Sequence, residues 1–424
     1  MKEIIEIFKN RSFSKLFFAN FSSQMGSMIG MIALTFYLLD RFSSQPVFAT
    51  LAELMYSLPT LLIFFLVGVV ADRLDRQKIA YYCDVICFMM SLLLIGAVYI
   101  GWMPLVFSFY SYKVAFKNFS FLQSTDFYRE HYRKKEYGTA AGLNQMVFSL
   151  FNLFGAGMAV IIYKFFGIYG ALVVDSISFA ISAILIRSGT FSESARMPNG
   201  ENSIRDINVT NVLKDFKEGF QYIINFRLLL ALVAGFFMLG IVNGGFSVMP
   251  FYLLKYKLVP NTYEEVSAVF AAVFGLGMLA GAAFASLLVK KLKYYQMLSG
   301  GMLISGAIVV VASFSETVWV FILFMTLLGF VLPSVNVAIG GWLPSIVDRK
   351  MMGRVQGWIS PLMMLSQSIT LGIIAVGFPN FLSIESLFWL VGFILSVVSI
   401  FYAVFLPRLY KRVERDKNEL LTGA

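Results

Sequence analysis

Long apolar segments alternate with short polar ones along the whole chain. A helix that crosses a bilayer needs about 20 consecutive apolar residues. The series is interrupted by a polar stretch over 188–227 and is followed by a charged tail over 407–424. Twelve segments are long enough, at 16–39, 47–70, 79–100, 104–126, 138–163, 167–187, 228–254, 265–289, 296–314, 317–346, 355–378 and 384–406. The pattern predicts an all-α membrane protein with twelve transmembrane helices.

The first six spans and the last six repeat one another at an offset of 215 residues. Three features share this offset: Phe36-Tyr37-Leu38-Leu39 with Phe251-Tyr252-Leu253-Leu254, Gly138 and Gly142 with Gly353 and Gly357, and Arg76 and Lys78 with Lys291 and Lys293. We therefore expect two pseudo-symmetric six-helix halves, over 1–187 and 228–406. Parallel halves of this kind are typical of transporters in which one half rocks against the other around a central site.

The segment between the halves, 188–227, contains a predicted amphipathic helix. Apolar residues recur there at helical spacing, and charged residues lie on the opposite face: Val212, Phe216, Phe220, Ile223 and Ile224 against Lys214, Asp215, Lys217 and Glu218. Such a helix lies in a membrane interface. We expect it to link the halves, with a regulatory role as the alternative.

The charge distribution orients the predicted spans. Of 424 residues, 58% are hydrophobic and 14% are charged, which excludes an ordinary soluble enzyme. The net charge of +10 does not indicate a nucleic-acid partner here, because 28 of the 34 Lys and Arg residues fall in segments on one side of the spans and four fall in loops on the other. By the positive-inside rule, both termini are expected in the cytoplasm of a cell-membrane protein that contacts anionic lipid.

The sequence offers little for catalysis. One His and two Cys leave no histidine cluster or cysteine zinc site. The chain contains no P-loop, HExxH or GxSxG motif. We expect no cofactor, no metal and no enzymatic activity, and a monomer as the assembly. A membrane-embedded lipid-modifying enzyme is the alternative from a different functional class.

Two lysines, Lys113 and Lys117, lie inside the fourth span and share one helix face. A cation at that depth costs about 2.5–3.5 kcal/mol on insertion scales, so both must face water, a carboxylate or a ligand. One interpretation is a site for an anionic substrate. A second is a structural pair neutralised by Glu53 or Asp175, a third is a mixed role with one lysine paired, and a fourth is proton coupling through a lysine.

Other polar residues inside the spans complete the candidate site. Glu53 and Asp175 are the predicted proton carriers, because loss of water disfavours the charged form of a carboxyl. Uncharged polar residues that could contact substrate are Asn20, Gln24, Asn144, Asn243 and Asn336. In membrane helices such residues also hold neighbouring helices together.

Three motifs carry a resemblance to a known family. The segment Gly68-Val-Val-Ala-Asp72-Arg73-Leu-Asp75-Arg76-Gln-Lys78 resembles the loop signature between spans 2 and 3 of the major facilitator superfamily. Its Asp75, together with Gly353-Arg354-Val355-x-Gly357 and Leu213-x-x-Phe216-Lys217-Glu218-Gly219, is similar to the drug:proton antiporter branch that contains macrolide efflux proteins. The chain departs from that branch at Lys113, Leu122 and Gly155-Ala156-Gly157, where Arg, Pro and a Gly-Pro element are usual.

The resemblance implies a gate on the cytoplasmic side. Gly68 allows close helix approach, and Asp72 would lie at the N-terminus of span 11, where the helix dipole stabilises a negative charge. The basic residues Arg73, Arg76 and Lys78 of this loop would hold Asp84 and lipid phosphates. Gly353 and Arg354 of the span 10–11 motif would complete the gate. A plain basic loop is the alternative.

The resemblance also implies secondary active transport by alternating access. We expect export of a small amphiphilic organic molecule, coupled to protons. Because Lys113 and Lys117 would repel a cation, an anionic substrate such as a siderophore or another acidic metabolite is the first expectation. A multidrug or macrolide-type drug:proton antiporter is the alternative.

Overall fold

The computed structural model describes residues 11–71, 75–129, 137–189, 209–348 and 351–422, and these ranges are helices joined by short turns. The helices are α1 Arg11–Arg41, α2 Val47–Ala71, α3 Arg76–Ile100, α4 Met103–Arg129, α5 Tyr137–Ser188, α6 Val209–Asn225, α7 Arg227–Leu253, α8 Tyr263–Leu288, α9 Tyr294–Ala312, α10 Val318–Ile346, α11 Met352–Gly377 and α12 Ile384–Thr422. One π-helical turn, Leu254–Leu258, follows α7.

Each predicted span coincides with one of these helices, except that α5 contains two. Gly167 divides α5 with φ 64° and ψ −166°, a left-handed backbone conformation that favours glycine. Within the described residues, nine helices are long and apolar enough to cross a membrane, and α5 counts once among them. The predicted fold class, an all-α membrane protein, is confirmed.

The chain divides into two compact units. The first unit comprises Met1–His131 and Gly155–Val212, and the second comprises Tyr132–Phe154 and Leu213–Ala424. In the first unit, α2 and α3 pack on α4, and α1 contacts both α2 and α4. Glycines on α1 bring it close to α5, because a Cβ atom on Gly30 would lie 3.2 Å from the Cγ atom of Asp175. Small residues allow this close approach where helices pack in a membrane.

The second unit repeats much of this packing. Its helices α8 and α9 pack on α10, as α2 and α3 pack on α4, while α7 contacts α11 and α12. Gly245 of α7 lies 215 residues after Gly30, and a Cβ atom there would meet Val391 of α12 at 2.5 Å. The same offset therefore relates the sequence motifs and the close helix contacts.

Candidate functional site

Buried charged side chains are confined to one unit. Among the described residues, the acidic and basic side chains that are buried all belong to the first unit, and none is more than 9% exposed: Glu53, Asp84, Lys113, Lys117 and Asp175. A charge removed from water needs a counter-charge, a hydrogen-bonding network or a ligand. The surroundings of each therefore indicate its role.

Lys113 and Asp175 form a buried ion pair between α4 and α5. The Nζ atom of Lys113 lies 2.5 Å from the Oδ2 atom of Asp175, and the side chains are 2% and 0% exposed. The hydroxyl of Ser91, on α3, donates a hydrogen bond of 2.8 Å to the same carboxylate oxygen. The pair links three helices and cancels one positive charge of α4 against one negative charge of α5.

The other oxygen of this carboxylate is less well satisfied. In the described part of the chain, the Oδ1 atom of Asp175 is buried and has no hydrogen-bond donor. An unsatisfied buried acceptor is costly, so this oxygen can take a donor from water or from a ligand.

Lys117 lies one turn further along the same face of α4. Its Nζ atom is 5.9 Å from the centre of the Tyr56 ring, within the range of a cation–π contact. The side chain is 9% exposed, and no carboxylate among the described residues lies within ion-pair distance of it. Lys117 therefore has no ion-pair partner of its own among the residues that the structure describes.

Glu53 faces the same region from α2. Its side chain is 3% exposed, and it lies one turn before Tyr56, whose ring contacts Lys117. No ion pair of this carboxyl occurs within the described ranges. Spacings of three and four residues place Glu53, Tyr56 and Thr60 on one face of α2, and Asn118 of α4 donates a 2.5 Å hydrogen bond to Thr60.

The predicted uncharged polar residues do not all join this cluster. Asn20 and Gln24 are half-buried on α1, whereas Asn243 and Asn336, both in the second unit, are exposed. The side chain of Asn144 lies outside the described residues. The structure thus brings Lys113 and Asp175 into contact and places Lys117 and Glu53 on adjoining helix faces.

The predicted gate is described in part. Asp72 and Arg73 lie outside the described residues, as does the environment of Gly68, whose backbone belongs to α2. Asp84 is buried and accepts a 2.5 Å hydrogen bond from the Ser182 hydroxyl. Arg76 is half-buried in the first turn of α3, and Lys78 is exposed there.

Asp75 and Gln77 fix the start of α3. The carboxylate of Asp75 accepts hydrogen bonds from the backbone N–H groups of Gln77 and Lys78, at 3.0 and 3.2 Å. This is the arrangement of an N-cap, which satisfies donors that an isolated helix end leaves free. The Gln77 amide donates 2.8 Å hydrogen bonds to the carbonyls of Ile186 and Gly189 at the end of α5.

The span 10–11 motif contacts the amphipathic helix. Arg354 forms an ion pair of 2.5 Å with Glu218 of α6, and Gly353 beside it is exposed. The ring of Trp358 stacks on Phe216 with centroids 4.0 Å apart, and its Nε1 atom donates a 2.9 Å hydrogen bond to the Phe216 carbonyl. We call these contacts between α6 and α11 the α6 clamp.

Sequence reasoning did not identify Ser91, Tyr56 or Tyr110. A serine inside a span carries no signal of its own, since such hydroxyls commonly bond to the backbone of their own helix. The two tyrosines did carry a signal, because each lies three residues before or after a charged residue on the same helix.

The family follows from comparison with known proteins. The model of the Major Facilitator Superfamily matches residues 16–272 and 261–421. The chain belongs to the Major Facilitator Superfamily. It is also 45% identical over 405 residues to YkuC of Bacillus subtilis (strain 168), an uncharacterised MFS-type transporter, covering 95% of this chain and 94% of that protein. The family predicted from the loop motifs is confirmed.

Solved structures of other transporters share the fold. A POT family transporter in complex with a thioalcohol-conjugated peptide matches with a TM-score of 0.73 and 14% identity, over 93% of this chain and 96% of that one. The POT family transporter PepTSo matches with a TM-score of 0.72 and 11% identity, over 95% and 99%. At such identities the likeness concerns the fold. This MFS protein is a multi-pass membrane transporter of the secondary type.

Proposed function

We propose that this MFS transporter exports a small amphiphilic organic anion from the cell by alternating access, coupled to protons. It acts in the cell membrane as a monomer, with both termini in the cytoplasm. The halves that move are 1–187 and 228–406, joined through 188–227 and followed by the tail 407–424. The observation that carries the proposal is the buried ammonium of Lys117, which lies inside a span beside an aromatic ring.

The electrostatics of the cluster favour an anion over a cation. A buried ammonium without a carboxylate attracts a negatively charged group and repels a positively charged one. The ring of Tyr56 is half-buried beside Lys117, and the ring of Tyr110 is buried beside Lys113, with the ammonium 5.7 Å from the ring centre. Aromatic surface next to a cation suits a ligand with an apolar body and an acidic head.

The carboxyls of Glu53 and Asp175 have different surroundings, and we assign them different roles. Asp175 is bound by Lys113 and Ser91 and holds the cationic face of α4 in position. Glu53 is buried without an ion pair to any described residue, and burial favours its neutral form. We therefore propose Glu53 as the group that takes up and releases the coupling proton.

The residues at the ends of the spans serve as the gate in this proposal. Asp84, bonded to Ser182, keeps α3 and α5 together near the loop signature. The pair of Arg354 with Glu218 ties the span 10–11 motif to α6. The remaining gate residues are assigned because they belong to motifs that resemble those of the family: Gly68, Asp72, Arg73, Arg76, Lys78 and Gly353.

A transport assay in liposomes containing the purified full-length chain tests the proposal. Vesicles are loaded with an amphiphilic carboxylate or an amphiphilic quaternary ammonium ion, and efflux is followed with and without an acidic exterior. We expect efflux of the carboxylate only, faster when the exterior is acidic. Faster transport of the ammonium ion, or driven uptake in place of efflux, would contradict the proposal.

Matched variants identify the groups responsible. Lys117→Gln removes the charge and should lower carboxylate efflux at least tenfold, whereas Lys117→Arg retains the charge and should keep most of it. Glu53→Gln should abolish the acceleration by an acidic exterior, while Glu53→Asp should retain it. Carboxylate efflux as fast in Lys117→Gln as in Lys117→Arg would show that the charge at this position is unimportant. Acceleration by an acidic exterior retained in Glu53→Gln would show that the proton of Glu53 is unimportant.

A further inference from the structure

The charged groups inside the spans can be counted from the sequence alone. Basic residues in the interior of the twelve spans are limited to Lys113 and Lys117. The spans of the second half carry charged residues only in their first turns, at Glu265 and Glu385. Any positive charge offered to a substrate at mid-membrane therefore comes from these two lysines.

In the structure, Lys113 is already paired with a carboxylate. The Lys113 ammonium is 2.5 Å from the Asp175 carboxylate, and both side chains are almost completely buried. The Ser91 hydroxyl is bound to the same oxygen, so the carboxylate is held in place from a third helix. Separating such a pair leaves two buried charges without partners, which is strongly unfavourable. An incoming anion cannot compete for Lys113 unless Asp175 is released first.

We infer that the site admits one negative charge per substrate molecule, because the Lys113–Asp175 pair leaves Lys117 as its single available ammonium. The substrate class is accordingly an amphiphilic monoanion with its apolar body near Tyr56 and Tyr110. A dianion would carry a second charge into the cluster without a counter-charge, and the loss of its hydration would oppose binding. This inference rests on the proposed function and narrows its substrate.

The number of available ammonium groups decides how many acidic groups a ligand can carry. Read from the sequence, two adjacent ammonium groups suit a ligand with several acidic groups, such as a siderophore. With one of them neutralised, the second acidic group of such a ligand has no partner among the described side chains. Asp175 thus acts as a specificity-determining residue through Lys113, and it need not touch the substrate.

A binding comparison on the full-length protein in lipid nanodiscs tests this. The probes share one ring system: 2-naphthoate, 2,6-naphthalenedicarboxylate, and a naphthalene carrying a quaternary ammonium group. At pH 7.5 we expect 2-naphthoate to bind at least tenfold more tightly than the dicarboxylate. Equal or tighter binding of the dicarboxylate would overturn the inference while leaving the anion proposal intact. Binding of the ammonium probe alone would instead contradict the proposed function.

Variants of the pair give a second test. Asp175→Asn releases Lys113, so the affinity ratio of dicarboxylate to 2-naphthoate should rise at least tenfold over wild type. The double variant Lys113→Met with Asp175→Leu removes the pair and keeps the net charge, so its ratio should stay near the wild-type value. An unchanged ratio in folded Asp175→Asn would overturn the inference. If Asp175→Asn does not fold, the double variant Lys113→Met with Asp175→Leu decides. A shift of its preference toward the dicarboxylate would also overturn the inference.

Discussion

The two units of this transporter are built on one packing plan but bury different chemistry. In both, two helices pack on a third at the same offset, α2 and α3 on α4, and α8 and α9 on α10. Counterparts at that offset differ in kind: Lys113, Glu53 and Ser91 of the first unit correspond to Leu328, Ala268 and Gly306 of the second. Of these, Leu328 is 1% exposed.

The comparison shows which buried side chains the packing can do without. The second unit packs through apolar side chains and glycines, with no buried acidic or basic side chain among its described residues. The packing plan therefore does not require buried charges. Since buried charges cost free energy, we propose that those of the first unit serve transport.

The largest effect should follow from placing a charge where the second unit has none. Leu328→Lys puts an ammonium at the counterpart of Lys113 without a counterpart of Asp175. We expect the free energy of unfolding to fall by about 5 kcal/mol or more, because leucine packing is lost and the new charge is unpaired. Thermal unfolding and the yield of membrane-inserted protein measure it. Leu328→Met is the control, and a Lys variant as stable as the Met variant would show that this unit tolerates the charge.

Breaking the pair in the first unit should have the next largest effect. Lys113→Met leaves the Asp175 carboxylate buried without its partner, and we expect a loss of about 3–5 kcal/mol. Adding Asp175→Leu removes the remaining charge and should restore most of the stability. The measurement is thermal unfolding of the single and double variants in one detergent. A double variant no more stable than the single one would argue against the ion pair.

A smaller effect should follow from filling a close helix contact in the second unit. A Cβ atom on Gly281 would overlap the carbonyl oxygen of Phe330, which belongs to the facing helix α10. Gly281→Ala should therefore cost about 1–3 kcal/mol by overpacking. Gly300→Ala is the matched control, because no atom lies within 4 Å of its added Cβ. Thermal unfolding should separate the two, and equal stability would show that α8 and α10 can move apart freely.

The smallest effect concerns an exposed ion pair, as a contrast to the buried one. Lys257 and Glu385 approach to 2.7 Å with about a third of each side chain exposed. The ion pair requires the carboxylate form of Glu385, so its contribution to stability is lost when acid protonates this group.

Because solvent screens this pair, it contributes at most about 1 kcal/mol. Glu385→Gln should remove that contribution at pH 7 and leave the protein's acid sensitivity slightly smaller. Thermal unfolding of both proteins at pH 7 and pH 3 measures it. A Gln variant destabilised as much as Lys113→Met would erase the contrast between exposed and buried pairs.

Much of the fold could be predicted from the sequence because lipid imposes a simple rule. A span must be about 20 apolar residues long, so segment length alone located the helices that the structure contains. The spacing of Phe216 and Phe220 likewise predicted an amphipathic helix within 188–227, and α6 occupies Val209–Asn225. The helix contacts made by Gly30 and Gly281 were not predicted, because a glycine in a span has no periodic signal.

The candidate site could be predicted in composition but not in pairing. Lys113 and Lys117 stood out because cations inside a span are costly. Which lysine meets which carboxylate depends on the rotation of α4 against α5. Because Lys113 and Lys117 are four residues apart on one helix face, the sequence allows either of them to be the paired one. Ser91, which bonds to Asp175 from a third helix, lies 22 residues from Lys113 and could not be linked to it without the packing.

The α6 clamp has a consequence for how the polypeptide can be divided. Because α6 is bound to Arg354 and Trp358, and the second unit includes the chain from Leu213 onward, most of the helix packs with the segments that follow it. A gene split before Val209 would leave the clamp within the second fragment, whereas a split after Asn225 would separate its two sides. Reassembly of two co-expressed fragments should therefore depend on which side of α6 the break is placed.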